Sequence, residues 1–153
     1  MQMDRRLFLI SAAVAPLYAG PLVVFSDPEA KVIAGIIDHI IPADDTPGAL
    51  AAGVVFYIDK QLAGPLKRFR EAYKMGIGQF YAGCRERMGK YFDELHPAKQ
   101  IEYLLQVENT SFFAMVVDHT MQGFYGSPEH GGNKGEASWK MLGIEDVMRG
   151  HTH

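Results

Sequence analysis

Ser26-Asp27-Pro28-Glu29-Ala30-Lys31-Val32-Ile33-Ala34-Gly35-Ile36-Ile37-Asp38-His39-Ile40-Ile41-Pro42 decides the fold of this chain. It opens as helices open: a serine able to cap, a proline at the first helical position, and an acid near the positive end of the dipole. Val32, Ile33, Ile36, Ile37, Ile40 and Ile41 then recur at steps of three and four, which lines one face of a helix with branched apolar side chains. Pro42 stops it. The spacing predicts a buried helix, not a strand.

The same period continues toward the C-terminus. After the turn-rich Pro42–Gly48 connection, a second helix is predicted from Ala49 to about Leu62, with Leu50, Val54, Ile58 and Leu62 in register. Gly64-Pro65 breaks it. A long helix from Pro65 to about Tyr91 carries Phe69, Tyr73, Ile77, Phe80, Tyr81, Cys84 and Met88. Gly76, Gly78 and Gly83 weaken that helix by roughly 1 kcal/mol each, so they mark a kink or a close helix contact. Pro97 opens a short helix with Ile101, Leu104 and Leu105. Thr110 or Ser111 caps the last, which carries Phe113, Val116, Val117, Met121 and Phe124. No alternating strand pattern competes. The expected fold is all-α: a single bundle of about five helices.

Beyond Phe124 the composition changes. Residues 125–143 are rich in glycine and turn formers, yet include Tyr125 and the only tryptophan, Trp139. Disordered tails seldom carry Trp and Tyr, so a long ordered loop lying against something is expected.

Toward the N-terminus, Asp4-Arg5-Arg6-Leu7-Phe8-Leu9 resembles a bacterial twin-arginine export signal. From Leu7 to Phe25 no residue is charged, which makes an h-region. As a cleavage site, Ala13-Val14-Ala15 has the small-x-small form but lies early, and Leu17-Tyr18-Ala19 places a bulky residue where a small one is preferred. The uncharged run is close to the ~20 residues that span a bilayer. Residues 1–26 are therefore a cleaved signal or a retained membrane anchor, and residues 27–153 are the domain.

Composition limits the function. Hydrophobic residues make up 48% and charged residues 22%, and the net charge is −3. A mildly acidic chain without a basic run does not fit nucleic acid. The single cysteine, Cys84, is a buried thiol on its apolar stripe or the half of an intersubunit disulfide. Metal chemistry lacks its patterns: there is no Glu-x-x-His pair, no His-Glu-x-x-His and no Cys pair. His151 and His153 lie at the chain end and read as a frayed terminus. Asp38-His39 and Asp118-His119 are adjacent pairs whose members point about 100° apart on a helix; a histidine late in a helix is favoured by the dipole alone. Gly131-Gly132-Asn133-Lys134-Gly135 lacks the phosphate-loop spacing and a preceding strand. An export signal suited to pre-folded cargo, with no visible cofactor site beside it, implies that a partner holds the cofactor.

Two stretches carry a family resemblance. Ile40-Ile-Pro-Ala-Asp-Asp-Thr-Pro-Gly-Ala49, with Gly53 and Tyr57-Ile58-Asp59, resembles the front half of the gluconate 2-dehydrogenase subunit 3 family. Gly123-Phe-Tyr-Gly, Gly131-Gly132-Asn133 and Trp139 with Leu142-Gly143 resemble its C-terminal signature. That family usually has an aromatic before the Gly-Gly-Asn, where His130 stands here. The resemblance implies a non-catalytic small subunit of a periplasmic, membrane-associated sugar or sugar-acid dehydrogenase. The cofactors, FAD and in many complexes haem c, then belong to a large flavoprotein and a multihaem cytochrome c subunit. Arg5, Arg6, Phe8 and Leu9 would engage the twin-arginine translocase. Tyr125, Gly131, Gly132, Asn133 and Trp139 would contribute to the partner contact, or else pack the loop on its own bundle. A structural or anchoring subunit, and a catalytic contribution from Asp118 and His119, are the rival readings.

Overall fold

The computed structural model describes residues 21–150, and these contain helices, turns and no strand. Arg5, Arg6, Phe8, Leu9, His151 and His153 lie outside the described residues. Helix α1 (Asp27–Ile40) begins with a full capping box: Ser26 accepts from the Glu29 N–H, and the Glu29 carboxylate accepts from the Ser26 N–H at 2.8 Å. Such a box stabilises a helix start by about 1 kcal/mol. Ala30, Val32, Ile33, Ala34, Ile36 and Ile37 are all buried. The helix therefore lies at the centre of the bundle, in contact with α2 (Val54–Ala63), α3 (Arg70–Met88) and α5 (Ser111–Tyr125). Helix α4 (Pro97–Val107) packs on the outer side of α3. Thr110 caps α5 by accepting from the Phe113 N–H. None of the described helices is long and apolar enough to cross a membrane.

The five expected helices are present, with shifted ends. Helix α2 starts at Val54 instead of Ala49, because residues 49–53 form turns that end on Gly53 at φ +75°, outside the helical region. The long third helix is preceded by a 3-10 turn, Lys67–Phe69, and ends at Met88. Tyr81, expected in its core stripe, is exposed and stacks on Tyr91 at 4.1 Å. Ile101, Leu105 and Met121 are exposed as well, their places in the core taken by Tyr103, Val107 and the buried turn of His119 and Thr120. Gly76 is a close contact: a Cβ there would lie 2.1 Å from the Phe112 ring, which seats α5 on α3.

The C-terminal region is ordered, as expected, and more structured than a loop. After two 3-10 turns, Pro128–His130 and Lys134–Glu136, the short helices α6 (Ala137–Leu142) and α7 (Glu145–Arg149) follow. Helix α6 packs on α5, and α7 on α6.

Candidate functional site

The two signature stretches, separated by some seventy residues in sequence, meet in space. Tyr57 on α2 lies across Gly123 on α5, where a Cβ would stand 2.5 Å from the tyrosine ring. Gly132 lies on the other side of the same turn, and a Cβ on it would stand 2.2 Å from the Gly123 carbonyl oxygen. Only glycine at both positions lets α2, α5 and the loop approach this closely. The Lys134 N–H donates to the Ala52 carbonyl at 3.0 Å, tying the loop to the turn before α2. Lys60 lays its aliphatic stem against Gly131 and donates to the Glu129 carbonyl at 3.4 Å.

Asn133 is the lock of the loop. It is fully buried and held at φ 43°, a left-handed conformation that asparagine tolerates better than most residues. Its amide nitrogen donates to the Gly126 carbonyl at 2.9 Å, and its amide oxygen accepts from the Ser138 N–H at 2.9 Å. One side chain thus pins both ends of the loop. Trp139 closes the arrangement from below: it is 4% exposed, and its indole N–H donates to the Tyr125 carbonyl at 3.2 Å. Arg149 on α7 reaches back to Glu136 in a two-pronged ion pair.

Of the five residues predicted to meet a partner, Gly132, Asn133 and Trp139 therefore spend their contacts inside the chain. Tyr125 and Gly131 are the ones that present themselves outward. Tyr125 is 42% exposed, its ring edge-on to Phe124. Met121, one turn earlier on α5, and Met141 and Leu142 on α6 are also exposed.

Asp59 was missed. It is the third residue of the Tyr57-Ile58-Asp59 stretch and is 3% exposed. Its carboxylate accepts the backbone N–H groups of Val23 (2.7 Å), Val24 (2.9 Å) and Phe25 (2.8 Å). The available signal was an acid on an apolar stripe, between Val55 and Leu62, both buried. Such an acid must find donors.

His119 and Asp118 part company. The His119 ring is buried and stacked on Tyr73, with Nδ1 2.9 Å from the Tyr73 hydroxyl. Burial lowers its pKa, against the pull of Asp118 and with the help of Arg68, and burial raises that of Tyr73. Burial thus favours the neutral form of both groups, and the ring tautomer sets which of them donates. Asp118 is exposed, and the two border an open cleft with Leu66, Arg68, Phe69 and Gln122. His39 bonds Gln100 of α4 at 2.8 Å, away from Asp38. Cys84 is fully buried, and burial pushes its thiol up to about 11; it is a core thiol here. Among the described residues no cluster of three or more His, Cys, Asp or Glu side chains is arranged to hold a metal ion.

Fold and loop define a class: a small all-α domain whose most elaborate geometry fastens its own two ends. The family model for gluconate 2-dehydrogenase subunit 3 matches residues 27–145, and the chain belongs to that family. By that name its members are subunits of a gluconate 2-dehydrogenase-like complex. No curated protein and no solved structure matches the chain.

Proposed function

We propose that this chain is the non-catalytic small subunit of a periplasmic FAD-dependent dehydrogenase complex, which binds the large flavoprotein subunit and aids its export, maturation and stability. The observation that carries the reading is family membership over nearly the whole domain, joined to the Arg5-Arg6 pair at the chain start. FAD sits on the large subunit, and haem c on a cytochrome subunit where one is present. The complex lies at the outer face of the bacterial inner membrane. The partner surface is the outer side of the locked loop, with Tyr125 and Gly131 in contact and Gly132, Asn133 and Trp139 holding the loop in shape from beneath. Tyr125 and Met121, one turn apart on α5, and Met141 and Leu142 on α6 are exposed, and aromatic and methionine side chains are enriched in interface cores.

Replacing Arg5 and Arg6 together by lysine tests the carrier role. Dehydrogenase activity, assayed in separated cytoplasmic and periplasmic fractions, should then stay in the cytoplasm. Normal periplasmic activity in that variant would sink the proposal.

A further inference from the structure

The stretch just before α1 has no regular secondary structure, yet it is held more firmly than most loops. Three consecutive N–H groups, of Val23, Val24 and Phe25, converge on the one buried carboxylate of Asp59. Charge-assisted bonds of this kind are strong, more so out of water. The Phe25 side chain is buried and meets Tyr73 edge-on at 5.6 Å, while Leu22 and Val24 pack against the core. Val23 alone points outward, 73% exposed. Asp59 itself sits on α2, a helix buried against both α1 and α5, so the carboxylate cannot follow if the stretch is pulled away.

A protease binds its substrate as an extended strand and must reach the backbone N–H groups around the bond it cuts. At residues 23–25 those groups are already taken. We infer that Asp59 sets the N-terminal limit of proteolytic processing: a leader peptidase cuts on the N-terminal side of Leu22 and leaves Val23–Phe25 on the domain. The inference rests on reading the N-terminal segment as a leader, and it moves the end of that leader from residue 26 to before Leu22. The reaction is hydrolysis: the bond between a carbonyl carbon and the next nitrogen breaks, water's hydroxyl goes to the carbon, and its proton goes to the released amine. The small-x-small position ending at Ala15 lies on the permitted side, and so does the poorer Leu17-Tyr18-Ala19.

The test uses the purified full chain and thermolysin, which cuts before Leu, Val and Phe. Mass spectrometry follows the bonds preceding Val23, Val24 and Phe25, with a free peptide of residues 17–29 as reference. These bonds should be cut at least ~10-fold more slowly in the folded chain than in the peptide, as for sites that open only by local unfolding. Asp59→Ala should remove most of that protection. Asp59→Asn, which keeps the shape and one acceptor oxygen but loses the charge and the second acceptor, placing an NH2 where one carboxylate oxygen stood, should remove part of it and serves where the alanine variant does not fold. Cutting at the peptide's rate in the wild type overturns the inference, as does unchanged protection in a folded Asp59 variant. In cells, an exported and shortened chain beginning at or before Leu22 agrees with it, and one beginning at Val23, Val24, Phe25 or Ser26 refutes it. A chain never exported tells against the leader reading and leaves the thermolysin result standing.

Discussion

In the bundle, α1 is buried along most of its length by branched apolar side chains that touch three other helices. In the loop from Gly126 to Gly143, two side chains, Asn133 and Trp139, hold a segment of similar length through three directed hydrogen bonds and one ring. The first arrangement spreads its stability over many contacts that tolerate exchange of one apolar side chain for another of similar volume. The second concentrates it, because each directed bond ties one particular backbone group to one particular side chain. A region of the second kind keeps a defined shape at its surface while remaining separable from the core beneath.

The largest effect should separate the two regions. Trp139→Ala should cost about 3–5 kcal/mol, and Ile36→Ala in the bundle about 2–5 kcal/mol. The totals overlap, so amide hydrogen exchange decides. Loss of Trp139 should expose the amides of the loop and α6 while α1 and α3 stay protected, whereas loss of Ile36 should lower protection throughout the bundle. Equal loosening everywhere after Trp139→Ala would show that loop and bundle unfold as one unit.

Asn133→Ala should come next, at about 2–3 kcal/mol in thermal or urea unfolding, since it leaves the Gly126 carbonyl and the Ser138 N–H unpaired. Asn133→Asp should be nearly as costly, because a carboxylate keeps the acceptor and loses the donor.

Acid should loosen the bundle before the loop. His119 has a folded pKa below its ordinary 6.5, so the unfolded chain binds the extra proton first. The stability from keeping the ring neutral is complete above pH 6.5 and is lost as the pH falls below it. Glu136 is lowered from 4.5, chiefly by its hydrogen bond to Arg149, so that tie persists to more acidic pH. Melting curves from pH 7 to 4 should fall in the wild type and fall less in His119→Gln.

The smallest effect on the isolated chain should come from Tyr125→Ala, within about 0.5 kcal/mol as for exposed sites generally. Co-purification with the large subunit should weaken at least ~10-fold if Tyr125 anchors the interface, a loss usual for a hot-spot aromatic. Unchanged co-purification would place the partner elsewhere on the molecule.

How much of this was legible follows the same division. The helices could be read because burial of one face repeats every three to four residues, and α1 appears within a residue or two of its expected ends. The start of α2 could not, because Gly53 adopts a left-handed turn that the apolar register runs straight through. Tyr81 and Leu105 are apolar residues in register that nevertheless face solvent, since register says which residues share a face and not how wide the covered strip is. Asn133 and Gly132 stood out as a pattern, but their partners at Ser138, Gly126 and Gly123 are set by how the chain folds back. Asp59 drew no notice beyond its place in the signature.

The amino-acid sequence alone determined that this chain is helical, that its C-terminal segment is ordered, and which family it resembles, because periodicity, caps and short motifs are local properties. The tertiary structure decided that the two signatures meet through Tyr57, Gly123 and Gly132, that Trp139 faces inward and Tyr125 outward, and that Asp59 grips the root of the N-terminal segment. Those outcomes depend on which surfaces come within a few ångströms after the helices pack, and close approach between distant segments has no periodicity to read.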